Sequence, residues 1–312
     1  MRQQRRLRRA CALVAWGTTV WCSGDLPAPA GAAEQSAIVA DLDASLAEAG
    51  SSSRESRARA MQSIPLARMP AANRAVAEAC LQSTTLFRRL PVETVTCDDE
   101  LLDFLLTKPE TLVDVWRVLG ISRLSLDPAG PGQWRLADGY GTVGVVKLLH
   151  HGRTADGGVL VFHGRGGYTG PLSPRRLTGQ CLVVLRHSAL DSDLAGRERQ
   201  AVQIDAFLDV DGLGLEIVTR ALHPLIVHSA AANLREICLF VTQFSAAAAR
   251  NPAGIARLTS RMPRTDPEDR RALARLAAGS RGTPADHVER RDAGGFEPEL
   301  ASRWLPAPAN KP

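Results

Sequence analysis

Hydrophobic positions along the chain change period twice, and those changes divide it into helix, sheet and helix. Over Ser36–Ala49, Val39, Leu42 and Leu46 recur at helical spacing until Gly50 closes the run. After the Ser51–Ser53 break and the prolines at 65 and 70, Ala71–Leu90 predicts a second helix, ended by Pro91. Asp98, Asp99 and Glu100 open a third, placing acids at the positive end of the helix dipole ahead of Leu101, Leu102, Leu105 and Leu106. Pro109 starts a fourth, which runs through Leu112, Val115, Trp116 and Leu119 to a cap at Gly120.

Beyond Gly120 the period becomes two. Ile121–Leu126 is a short strand; Thr142–His151 and Gly158–His163 flank the turn-rich Gly152–Gly157 as a hairpin; Thr178–Ala189 and Arg199–Val210 follow. Val202, Ile204, Ala206, Leu208 and Val210 share one face of the last strand. Strands joined by short connections pair antiparallel, because parallel pairing needs crossovers of about a dozen residues or more. The expected sheet is a largely antiparallel meander of five or six strands.

Helical spacing then returns. Leu215, Val218 and Leu222 predict a short helix ended by Pro224. The strongest stripe of all is Leu234, Cys238, Val241, Phe244 and Ala248, within a helix from about Ala230 to Ala249 that Asn251-Pro252 stops. Asp266-Pro267 begins a final helix that ends at Gly279. The sequence thus divides into 1–32, a signal segment; 33–120, an N-terminal helical region; 121–279, the main α+β domain; and 280–312, a flexible tail rich in Pro, Gly and charge. The expected fold class is α+β, with the C-terminal helices packed on the sheet.

Charge bears on compartment more than on partners. The chain carries 38 basic and 33 acidic residues, a net +5. Residues 1–32 hold five of those arginines and one acid, Asp25, so the remainder is nearly balanced at 33 against 32. Arg2–Arg9 precede the apolar stretch Ala10–Trp21, and Ala30-Gly31-Ala32 supplies the small-x-small pattern of a signal-peptidase site. Twelve apolar residues fall short of the roughly 20 that a helix needs to cross a ~30 Å hydrocarbon core. The expectation is an exported chain, periplasmic or extracellular, with no transmembrane segment once mature and no nucleic-acid partner. The low aromatic content, 4%, leaves few stacking platforms for bases or sugars.

Export would leave Cys80, Cys97, Cys181 and Cys238 in a compartment that permits disulfides, and Cys80–Cys97 is the pair expected from their short separation. No Cys-x-x-Cys spacing is present. Adjacent His150 and His151 point to opposite faces of a strand, and Pro224 interrupts His223 and His228. His163 and His187 would meet one of the 150–151 pair only in a particular strand register. Neither a metal nor a cofactor is expected.

Two segments carry resemblances to enzymes. Val159–Phe162 running into His163-Gly164-Arg165-Gly166-Gly167 resembles the strand and oxyanion loop of α/β-hydrolase esterases, where glycines let backbone N–H groups approach a developing oxyanion. That resemblance implies an esterase-like hydrolase with His163, Gly164, Gly166 and Gly167 in its turn. The family's Gly-x-Ser-x-Gly elbow between a strand and a helix is missing; the nearest approach, Gly279-Ser280-Arg281-Gly282, follows a helix. Phe207-Leu208-Asp209-Val210-Asp211-Gly212 is similar to the opening motif of haloacid-dehalogenase-type phosphatases, but Leu213 stands at the threonine position and the only later lysine is Lys311. The reading that remains is a non-catalytic binding protein for a hydrophobic small molecule or an envelope partner, with the esterase-like hydrolase as the alternative. An apolar cavity between sheet and helix is the observation that favours a carrier.

Overall fold

The computed structural model describes residues 50–154, 156–169, 176–211 and 223–279, together with Leu300; for 223–229 it describes the backbone alone. The signal segment, the helix expected over Ser36–Ala49 and the one around Leu215–Leu222 lie outside these residues. Helices α1 (Arg54–Gln62) and α2 (Ala71–Ser83) come first, followed by strands β1 (Leu86–Arg89) and β2 (Glu93–Thr96). Helices α3 (Asp99–Thr107) and α4 (Pro109–Val118) lead into strands β3 (Ser125–Gly130), β4 (Gln133–Ala137), β5 (Thr142–Thr154), β6 (Gly157–Tyr168), β7 (Leu177–Leu190) and β8 (Arg199–Val210). Helices α5 (His223–Arg250), α6 (Pro252–Ser260) and α7 (Pro267–Ala278) complete the described fold.

The protein is α+β, and its sheet is antiparallel with eight strands rather than five or six, in the order β1-β8-β7-β6-β5-β4-β3 with β2 also on β8. β5 to β8 follow four of the expected strands; β3 begins later than the expected Ile121–Leu126, and β4, which pairs with both β3 and β5, was not expected. The two additional strands at the other edge come from the region expected to be helical. Here α2 ends at Ser83, not Leu90, and Leu86–Arg89 instead pairs with Asp205–Leu208. β2 continues along the same neighbour, with Glu93 opposite Val202. The two are halves of one edge separated by Pro91, which has no N–H to give a ladder, so the interruption falls where proline is tolerated.

Both faces of the sheet are covered. On the outer face, α1 and α2 bring Ala60, Ile64, Ala77 and Leu81 against Val161, Leu182, Val184 and Phe207. Phe87 and Phe207 have ring centroids 5.0 Å apart in that layer. On the inner face, α3, α4 and α5 pack over Leu160, Leu185 and Val202. The predicted stripe of α5 is buried throughout: Leu234, Cys238, Val241, Phe244 and Ala248 are all at most 5% exposed. Phe240 and Ala247 are buried as well, because α5 lies under α6 and α7 in addition to the sheet. Leu300 joins the same core.

Asp114 of α4 ties these helical layers together, accepting from the Arg264 and Thr265 amides at 3.0 and 3.1 Å and from Thr265 Oγ1 at 3.0 Å. Among the described residues no helix is long and apolar enough to cross a membrane.

The cysteine pairing is corrected. Cys80 belongs to the outer core and Cys97 to the inner one, so the sheet separates them, and all four thiols are free and buried. Burial in apolar surroundings disfavours the thiolate, raising the Cys181 pKa to about 11 and that of Cys80 to about 12.

Candidate functional site

Alternation along the strands assigns one set of side chains to the inner face, and that face does not close completely against its helices. A cavity of about 260 Å³ remains between them. Its sheet wall includes Val202, Ile204 and Ala206 of β8, and Cys181, Val183 and Leu185 of β7. Phe162 and Gly164 of β6, Val146 of β5 and Leu136 of β4 continue it toward Leu126. The opposite wall is helical: Leu102, Leu105 and Leu106 of α3, Leu112, Val113 and Trp116 of α4, and Ala230, Leu234, Ile237, Cys238 and Val241 of α5. The register explains the sheet side, since Ile204 faces Leu185 and Val183 faces Phe162 across their ladders. Among the described lining residues the one charged side chain is Arg88 of β1, opposite Ala206.

Beside the cavity, the start of α3 meets the far ends of β5 and β7 in a polar cluster. His151 Nε2 lies 2.8 Å from Asp103 Oδ1, and Arg153 Nη1 lies 3.0 Å from Asp103 Oδ2 while its other terminal nitrogen reaches Asp99. His187 Nδ1 is 3.4 Å from Asp99 Oδ1, and the His187 side chain is fully buried. Gly158 makes room for that ring: a Cβ there would stand 2.5 Å from His187 Nε2. The candidate histidines do not gather at one point. His163 lies on the outer face with Nε2 3.2 Å from Gln180 Oε1, and the described residues include no group of three or more His, Cys, Asp or Glu placed to hold a metal.

Burial lowers the pKa of His187, with Asp99 and Asp103 opposing the shift, and burial likewise lowers those of His163 and His150. These imidazoles are held neutral in the fold but take up protons when unfolded, below the ordinary value of 6.5. Their contribution to stability is therefore complete above that value and is lost as the pH falls through it toward the depressed folded pKa values. Thermal unfolding followed by circular dichroism should give a midpoint that is level above pH 7 and declines toward pH 5. In His187→Leu the decline should be shallower, and an unchanged slope would remove His187 from the explanation.

The segment read as an oxyanion turn is not a turn. His163, Gly164, Arg165, Gly166 and Gly167 continue β6, paired with Val143–Lys147 on one side and Thr178–Leu182 on the other. Their backbone lies within two ladders, where the glycines serve close packing: a Cβ at Gly167 would meet the Leu177 carbonyl oxygen at 2.9 Å. The phosphatase-like segment is similarly the end of β8, with Asp209 Oδ2 accepting from Gln180 Nε2 at 3.2 Å.

Sequence reasoning missed Arg88, which it placed in a helix, and it missed α3 and α4 as cavity walls. The signal for the latter lay in their wide apolar faces. The chain matches no protein-family model and is similar to none of the curated proteins compared with it.

Proposed function

We propose that this is a non-catalytic binding protein, exported by its N-terminal segment, that carries a hydrophobic small molecule between its sheet and its helices. The observation that carries the reading is the apolar cavity of about 260 Å³. Its lining of leucine, valine, isoleucine and aromatic side chains offers a ligand hydrophobic contact rather than hydrogen bonds. An envelope partner would instead be met at the surface, where the exposed large hydrophobics among the described residues are Met61, Val143, Val145 and Leu194.

Native mass spectrometry on protein purified without detergent tests the proposal, together with titration of an apolar fluorescent probe. The expected result is a co-purified adduct of a few hundred daltons, or saturable one-to-one uptake of the probe after delipidation. A protein that arrives empty and takes up no probe would overturn it. Bound ligand should also raise the thermal midpoint, by about 2.7 kcal/mol of added stability at a hundredfold excess over Kd.

A further inference from the structure

Volume and lining together restrict what the cavity can hold. A space of about 260 Å³ gathered into a sphere would be roughly 8 Å across, less than two strand spacings of ~4.8 Å. Its walls run further than that. On the helix side it is lined from Ala230 through Leu234 and Ile237 to Val241, about 16 Å of α5 at ~1.5 Å per residue. On the sheet side the lining extends from Ile204 of β8 to Leu126 of β3, a breadth of roughly 24 Å at ~4.8 Å per strand. It also narrows on the way: β8 contributes Val202, Ile204 and Ala206, whereas β5 and β4 contribute Val146 and Leu136 alone. The cavity is a slot that tapers across the strands.

We infer that the ligand is an uncharged single-chain lipid, a hydrocarbon or a fatty ester, lying across the strands between the sheet and α5. This inference rests on the carrier reading and adds shape and charge to it. The described lining is hydrocarbon apart from Arg88, which is 8% exposed and already engaged in an interaction of its own within the fold. The acids and bases beside the cavity, Asp99, Asp103, His151 and Arg153, bond to one another and stand outside the lining. An ionised head group entering such surroundings gives up its water without gaining a partner, so the neutral form is the one that binds. The volume sets the chain: a methylene occupies about the space of one water, ~30 Å³, so 260 Å³ holds roughly nine of them. Spread along the slot, nine such units form a single file. A fused-ring body is too thick for the narrow end, and a two-chain lipid is too large.

Calorimetric titration of the delipidated protein with methyl decanoate, decanoic acid and methyl adamantane-1-carboxylate tests this between pH 6 and pH 8. The first and third share an ester and a similar size but differ in shape; the first and second share a chain but differ in charge. Methyl decanoate should bind at least ~10-fold more tightly than either of the others at pH 7, with an affinity that does not change with pH. Decanoic acid should weaken about tenfold per pH unit, because a carboxyl with a pKa of roughly 4–5 is less and less often neutral across that range. An acid that binds as tightly as the ester, or with no pH dependence, would show that the anion enters and would overturn the inference. Binding of the compact ester as tight as that of methyl decanoate would overturn it on shape. Both results would leave the carrier reading intact, whereas failure of all three compounds to bind would overturn the carrier reading itself.

Discussion

Replacing Asp205 with alanine is expected to destabilise the protein by about 3–5 kcal/mol, the cost of stranding buried cations by removing their anion. Asp205 is wholly buried on the outer face of β8. It accepts from Arg89 Nε at 2.8 Å and Nη2 at 3.1 Å, a bidentate pair, and from Arg186 Nη1 at 2.6 Å. The side chains of Arg89 and Arg186 are only 7% and 9% exposed, so water does not replace the lost carboxylate. Arg186 Nη2 also donates to Ser63 Oγ at 2.5 Å, which links β7 to the end of α1. One carboxylate thus joins three strands and a helix. Urea denaturation should show the midpoint of Asp205→Ala falling steeply. Asp205→Asn keeps the shape and should lose less. Exchanging the whole cluster for apolar residues, Asp205→Leu with Arg89→Met and Arg186→Met, should recover most of the loss, because no charge is then left buried. A loss below about 1 kcal/mol in Asp205→Ala would show that water or a shifted neighbour takes over the carboxylate's role.

The same strand shows what the sequence conveyed and what it withheld. The apolar face of β8, from Val202 to Val210, was legible from alternation alone. Gln203 and Asp205 on the other face are polar, yet both are buried, because α1 and α2 arrive from more than 100 residues earlier in the chain to cover that face. α5 was legible for a complementary reason: its stripe follows the helical period, and burial under both sheet and helices only widens it. β1 was not legible. The alanine-rich sequence of α2 runs directly into Thr84-Thr85-Leu86-Phe87, and it is the distant β8 edge that makes the second part a strand. Misplacing β1 also hid Arg88, since a residue assigned to a helix cannot be assigned to a sheet face. Gly164–Gly167 show the opposite error, in which glycines that suggest a loop lie between two neighbouring strands. A cavity is harder still, because patterning identifies the faces that meet without fixing how much volume their side chains leave between them.

Filling the cavity from the helix side should separate stability from binding. Ala230 of α5 lines the cavity and is 7% exposed. Ala230→Trp directs an indole into space that no described side chain occupies, and cavity filling commonly adds about 0.5–2 kcal/mol. The same indole takes volume that the ligand needs, so affinity for an apolar probe or a decanoyl ligand should fall on the order of 100-fold, about 2.7 kcal/mol at ~1.4 kcal/mol per tenfold. Val183→Phe on β7 approaches the same space from the sheet, and guards against an indole that overpacks its neighbours. Leu234→Ala works in the other direction: it enlarges the cavity and should cost about 2–5 kcal/mol while admitting a longer chain. A packing defect and a binding site make opposite predictions for this set. If the gap were merely a defect, filling it would raise the unfolding midpoint and leave probe uptake as it was. If it is the site, the midpoint and the affinity move in opposite directions in the filled variants, and chain-length preference shifts upward in Leu234→Ala. Titration of the probe across the three variants, beside their melting curves, distinguishes the two; unchanged affinity in both filled variants would remove the cavity from the binding reaction.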